Sequence, residues 1–166
     1  MARQLWLLRH ADAEPHGTRP DEERQLTARG EQQARAAGIA LARLGARFDG
    51  VLFSPKTRAR QTAELAAEGW SEEERERLRG HPPLAGGFGA REALEQLEGI
   101  EADGRLLLVG HEPDLSILAG ELTGGRVDLK KGGLAVVRLE GAAGELAVLM
   151  RPRELSLIAG VPAVLN

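Results

Sequence analysis

The sequence predicts an α/β fold in three layers, a sheet covered by helices on both faces. Three observations predict it. Short apolar runs alternate with helical stretches along the chain, which implies strands and helices in turn. The runs at Leu5–Leu8 and Leu106–Val109 are continuously apolar, as strands buried on both faces are. No repeat or long linker interrupts the pattern, and 166 residues fit one domain spanning 1–166 with a core large enough to need no disulfide or metal.

Leu5–Leu8 reads as the first strand, closed by Arg9-His10. Residues 11–25 are polar and carry Pro15, Gly17 and Pro20, which mark a loop. Thr27 is placed to cap the next helix, whose Ala34, Ala37, Leu41 and Leu44 fall on one face, with Gly45 near its end. Val51-Leu52-Phe53 is a second strand, broken by Ser54-Pro55, and Thr57 to about Ala67 is a helix. The charge run Glu72–Glu76 reads as a solvated helix face. Residues 80–90 are rich in Gly and Pro and read as a loop, and Arg91–Glu98 is a short helix. Leu106–Val109 leads into Gly110-His111-Glu112-Pro113, where Pro113 suits the first turn of a helix with Leu115, Leu118, Ala119 and Leu122 on its buried side. Leu134–Val137 and Leu146–Leu149 read as two late strands joined as a hairpin through Gly141–Gly144.

Composition narrows the function classes. There is no cysteine, so neither disulfides nor thiolate metal sites are available. A net charge of −3 and a pI near 5.9 lack the basic surplus of a nucleic-acid binder, and scarce aromatics argue against base-stacking platforms. No run is long enough to span a membrane, and the opening apolar run is too short for a signal segment. A cytoplasmic setting is expected, though some exported proteins share this composition.

In an open α/β sheet, ligands gather at the carboxyl ends of the strands. Arg9-His10, Ser54 and Gly110-His111 each close an apolar run, so three distant segments can meet at one edge. A neutral imidazole at His10 can attack phosphorus if one ring nitrogen is free and the other is held; a histidine merely hydrogen-bonded at a strand end reads the same alone. Arg9 carries a planar fork of donors that matches phosphate oxygens, although a surface arginine is common in this arginine-rich chain. The helix after Ser54 points backbone donors at the strand end. Arg58 lies in its first turn, able to fold back over that edge. Arg60 faces elsewhere as a surface charge, and Lys56 can add to the positive field. His111 follows a buried strand and can meet a phosphate oxygen or sit opposite His10; a capping or core histidine is the alternative. His16 and His81 read as loop residues, with His16 able to line the mouth of a site, and no histidine pair has metal-site spacing.

Leu7-Leu8-Arg9-His10-Ala11 resembles the Arg-His-Gly signature of the histidine phosphatase superfamily, also called phosphoglycerate-mutase-like. Ser54-Pro55-Lys56-Thr57-Arg58-Ala59-Arg60-Gln61-Thr62 resembles its second motif and Val109-Gly110-His111 its third. Arg-His-Ala-Asp-Ala-Glu at the start, Leu26-Thr27 with Gly30, and the short length resemble the SixA-type phosphohistidine phosphatase branch. The likeness covers about residues 3–150. It implies a mostly parallel sheet with one antiparallel edge strand, and a metal-independent phosphatase without cofactors. It also implies that His10 becomes transiently phosphorylated, with Arg9, Arg58 and His111 completing the phosphate pocket.

Two positions depart from the family pattern. Ala11 replaces the signature glycine, and Pro82–Gly89, where larger members carry a proton-donating acid, has none. Glu92 is the nearest candidate acid, with Asp12 and Glu14 weaker; each also reads as an exposed carboxylate. A sugar phosphate leaves as a poor alkoxide and gains much from such an acid, whereas a phosphohistidine can leave as neutral imidazole. The chain also lacks room for a long lid. The expected substrate is therefore a phosphohistidine-bearing protein, with a small phosphate ester (sugar or nucleotide) as the alternative enzyme substrate. A non-catalytic phosphate- or phosphoprotein-binding module is the alternative outside enzymes.

Overall fold

The computed structural model describes residues 2–162. Among them six strands form one sheet: β1 (Arg3–Arg9), β2 (Gly50–Phe53), β3 (Leu78–Gly80), β4 (Arg105–Gly110), β5 (Leu134–Glu140) and β6 (Ala143–Met150). The helices are α1 (Ala28–Arg43), α2 (Thr57–Ala66), α3 (Glu72–Glu76), α4 (Ala90–Glu98), α5 (Asp114–Thr123) and α6 (Pro152–Ala159). The spatial order is β3-β2-β4-β1-β5-β6.

Strands β3, β2, β4 and β1 pair parallel, β5 runs antiparallel to β1, and β6 runs antiparallel to β5. The sheet is mostly parallel, as expected, but its reversed strand is not at the edge. The two-residue turn at Gly141-Ala142 reverses the chain again, so β6 runs with the parallel set and takes the edge, leaving β5 inside.

Strand alternation divides the core into two layers. Trp6 and Leu8, Leu107 and Val109, and Leu134 and Val136 face α1, α2 and α6. Leu5 and Leu7, Leu106 and Leu108, and Ala135 and Val137 face α4 and α5. Because both faces are covered, β1 and β4 carry unbroken apolar runs rather than alternating ones.

Other details differ from the sequence reading. Leu44 lies at the end of α1 and is exposed rather than on the buried face. Pro113 is the N-cap of α5, one residue before the first turn. Strand β3 is a three-residue edge strand, too short to give an apolar signal. Helix α6 went unread because its apolar positions follow directly on β6; Leu155 and Ala159 pack against α1. The 80–90 loop holds a short 3₁₀ turn, Pro82–Ala85, with Leu84 and Phe88 buried beneath it.

Candidate active site

The strand register builds the site. Arg9 pairs with Gly110, and Phe53 pairs with Val109. The next residues, His10, Ser54 and His111, therefore leave the sheet side by side. Two hydrogen bonds carry the ladder one step further: His10 N–H donates to Gly110 O at 2.9 Å, and Ser54 N–H to Val109 O at 2.9 Å. The loop before β5 closes in from the other side. Gly132, at φ +73°, turns its N–H onto the carbonyls of Arg9 and His10 (3.2 and 3.0 Å).

A cavity of about 500 Å³ opens at this edge, lined by Arg9, His10, Arg24, Arg58, His111 and Glu112 among others. The four residues that the motifs singled out are thus brought together. The His10 and His111 rings lie 5.2 Å apart, centre to centre. His10 is 7% exposed, and its Nδ1 lies 2.8 Å from Ala11 O. A carbonyl only accepts, so Nδ1 carries the proton and Nε2 is left as the free, nucleophilic nitrogen. Burial pushes the His10 pKa down to about 3; the Ala11 carbonyl opposes this, and His111, Arg58 and Arg9 add to it.

His111 is held through its other nitrogen. Its Nε2 lies 2.7 Å from Ser54 Oγ, and Lys56 N–H donates to that same oxygen at 3.3 Å. With one lone pair of Oγ so engaged, the arrangement that satisfies every group has Ser54 O–H donating to Nε2. His111 Nδ1–H then remains for a ligand. Burial first, then the cations Arg58 and Lys56, push the His111 pKa down to about 4.

The two arginines are each anchored by their tips. Arg9 Nη1 donates to Leu129 O at 3.0 Å. Arg58 Nη1 donates to Asp21 O at 2.7 Å, and its Nη2 to Asp21 Oδ2 at 3.3 Å. Arg9 Nε, Arg58 Nε and His111 Nδ1 are buried without a hydrogen-bond partner among the described residues. Unpaired buried donors are rare and costly. Here they belong to three residues around the ring of His10, an arrangement suited to an anion with several oxygens.

Asp21, in the 3₁₀ turn Asp21–Glu23, was missed by sequence reading. Its carboxylate takes Lys56 Nζ at 3.1 Å and Arg24 Nε and Nη2 at 3.0 and 2.9 Å. Partial burial opposes its ionisation, but the hydrogen bonds from Lys56 and Arg24 and the field of Arg58 together hold its carboxyl far below the usual carboxylate range. Nothing in a polar loop marks one carboxylate among several, and Asp21 stands out only through its partners. Arg24, buried at the cavity wall, escaped notice for the same reason.

The nearest candidate acid is not among the residues lining the cavity. Glu92 lies away from the cavity; its carboxylate reaches back to accept from Gly89 N–H, at the N-cap of α4, at 3.0 Å. Asp12 and Glu14 do line the cavity, but Asp12 accepts from Thr27 Oγ1 at 2.7 Å and Glu14 from Arg19 Nε at 2.7 Å. His16 lines the mouth, 3.7 Å from Asp21. His81 instead stacks edge-on to Phe88. Arg60 pairs with Glu64 on the exposed surface. The described residues contain no group of three or more ligating side chains that could hold a metal, and no helix long and apolar enough to cross a membrane.

Residues 5–81 match the family model described as the histidine phosphatase superfamily (branch 1). An uncharacterized protein of Picosynechococcus sp. is 36% identical over 170 residues, covering 92% of this chain and 98% of its own. Among solved structures, the protein histidine phosphatase SixA complexed with tungstate is similar with a TM-score of 0.78 and 25% identity, over 92% of this chain and 99% of that one. A Nakamurella multipartitia protein provisionally named as a SixA phosphohistidine phosphatase gives 0.76 and 29%, over 92% and 97%. The architecture alone is shared with an α-ribazole phosphatase of Shigella flexneri, at 0.71 and 21%, over 90% and 96%. The motif order, the sheet that gathers the three motifs at one edge and these likenesses agree that the chain belongs to the histidine phosphatase superfamily.

Proposed function

We propose that the chain is a metal-independent phosphohydrolase that passes phosphate first to His10 and then to water, and that its substrate is a phosphohistidine-bearing protein. One observation carries the reading. His10, with Nδ1 fixed on Ala11 O and Nε2 free, shares its cavity with Arg9, Arg58 and His111, each of which has a buried donor without a partner among the described residues.

In the first step His10 Nε2 attacks phosphorus. Arg9, Arg58 and His111 Nδ1–H meet the equatorial oxygens, where charge collects in the transition state. A phosphohistidine protonated on its second nitrogen departs as neutral imidazole, and His10 becomes the same kind of phosphoimidazolium, its Nδ1–H retained. One imidazole replaces another, so no proton need be supplied. In the second step water attacks phosphorus, the P–Nε2 bond breaks, and His10 returns neutral with dihydrogen phosphate as product.

Two features support this substrate over an ester. The stretch from Pro82 to Gly89, where larger members carry a proton-donating acid, has none, and Glu92 is engaged with Gly89 away from the cavity, whereas an alkoxide leaving group gains much from such an acid. The similarity to the SixA protein histidine phosphatase points the same way. The test compares kcat/KM on a phosphohistidyl peptide, a sugar phosphate and a nucleotide, for wild type and His10→Ala. Expected are preference for the phosphohistidyl peptide and a loss of a thousandfold or more in His10→Ala. Preference for a sugar or nucleotide phosphate would sink the substrate class and leave the His10 chemistry standing. Turnover by His10→Ala equal to wild type would sink His10 as nucleophile.

A further inference from the structure

Three carboxylates line the cavity: Asp12, Glu14 and Glu112. Two are committed to cations. Asp12 lies 3.7 Å from Lys131 and Glu14 2.7 Å from Arg19. Glu112 has no ion pair among the described residues. It follows His111 directly, and its Oε1 accepts from Ser116 N–H, in the first turn of α5, at 3.1 Å. No hydrogen bond among the described residues uses its Oε2. Glu112 is also the first charged group acting on the Arg9 guanidinium, so its carboxylate stands beside a cation of the candidate phosphate pocket.

A bare carboxylate in an anion-binding cavity is a puzzle for a site that takes only phosphate. As a carboxylate it repels the phosphoryl group, has no proton to give an ester oxygen, and finds no N–H on an ester to accept from. A phosphohistidine offers a ring N–H on the nitrogen opposite phosphorus. In its reactive form that ring carries positive charge, and a charge-assisted N–H···O⁻ bond is among the stronger hydrogen bonds. We propose that Glu112 is a specificity-determining residue, whose Oε2 accepts the ring N–H of a phosphohistidine substrate and so selects an imidazole leaving group. This rests on the phosphohistidine reading above. The hydrogen bond keeps the proton on the far nitrogen while the P–N bond breaks. The electron pair of that bond stays on the departing nitrogen, and imidazole leaves neutral. Selectivity follows because a substrate without the N–H leaves this half-buried acceptor without its charged partner.

The test is Glu112→Gln. Glutamine keeps the Ser116 hydrogen bond through its carbonyl and presents an NH₂ donor where Oε2 stood. Rates are compared on a phosphohistidyl peptide and on p-nitrophenyl phosphate, whose phenolate leaves without a proton. The expected result is a loss of tenfold or more in kcat/KM on the peptide, with the ester within twofold of wild type and Tm unchanged. Equal losses on both substrates, or no loss on the peptide, would overturn the proposal. Glu112→Ala, judged by the same two rates, decides the matter if the glutamine variant does not fold. A wild type that cleaves the ester but not the peptide would overturn the substrate reading and this inference together. A wild type that cleaves the peptide as fast as the variants do would overturn only the role of Glu112.

Discussion

Asp21 holds Arg58 at two points, through its backbone carbonyl at 2.7 Å and its carboxylate at 3.3 Å. The same carboxylate binds Lys56 and Arg24. A residue in the loop after β1 therefore sets where the guanidinium of α2 points, and it does so before any phosphate arrives. The contact uses one N–H of each Arg58 tip nitrogen and leaves its Nε without a hydrogen-bond partner among the described residues.

Asp21→Asn should separate these anchors. The backbone carbonyl still holds one Arg58 nitrogen, but three cations lose their shared counter-charge. Urea unfolding should show a loss of about 1–3 kcal/mol, the range for hydrogen bonds to charged groups in a site that is only partly exposed. Phosphatase activity should fall about tenfold, and more steeply at low salt, where repulsion among the freed cations is unscreened. Unchanged stability and activity would mean that Asp21 is a bystander.

Ser54→Ala tests the relay from Lys56 N–H through Ser54 O–H to His111 Nε2. Without the hydroxyl, nothing fixes the proton of His111 on Nδ1. A fall of about tenfold in kcat, with His10 still able to accept phosphate in a single turnover, is the expected outcome. Titration of His111 followed by NMR should change in the variant; an unaltered His111 titration and kcat would contradict the relay.

The buried histidines make stability depend on pH in a defined direction. In the unfolded chain His10 titrates near 6.5, and in the folded chain near 3. Between those values the unfolded state binds more protons, so stability falls as pH drops from about 6.5 toward 3 and is unaffected by His10 above that window. His111, folded near 4, acts in the same sense. Tm measured from pH 7 to pH 4.5 should fall less steeply in His10→Gln than in wild type. Parallel curves would show that His10 is not a neutral buried imidazole.

Gly30 explains part of the Leu26-Thr27…Gly30 pattern. A Cβ there would lie 1.9 Å from Asp12 O, because α1 starts directly against the segment that leaves His10. Thr27 caps α1 through Gly30 N–H and also donates to Asp12 Oδ2. Gly30→Ala should cost about 1–3 kcal/mol by overpacking against backbone. It should also lower activity, since the displaced segment carries Ala11 O, the partner of His10 Nδ1. Differential scanning calorimetry beside a phosphatase assay checks both, and a variant as stable and active as wild type would count against this packing.

How much of this was legible beforehand divides by range of interaction. The strands at Leu5–Leu8 and Leu106–Val109 announced themselves because a strand buried on both faces has no polar positions. Helix α1 was marked by Thr27 at its start and Gly45 after its end. Strand β3 and the inner position of β5 were not legible, because a three-residue edge pairing and the place of a strand in a sheet are set by partners distant in the chain. Within the site, His10, Arg9, Arg58 and His111 could be picked out from their chemistry at strand ends and helix starts. Glu92 could not be excluded by the same means, since its capping of Gly89 and its distance from the cavity depend on where α4 packs.

The sequence by itself determined which segments are strands and helices, and which side chains have chemistry suited to phosphate. Those properties follow from local periodicity and functional groups. Only the tertiary structure decided that Asp21 ties down Arg58, that Ser54 orients His111, and that Glu112 is the cavity carboxylate with no ion pair among the described residues. Each of these is a contact between residues from different segments or the lack of one, and it exists only once the sheet register has set His10, Ser54 and His111 at one edge.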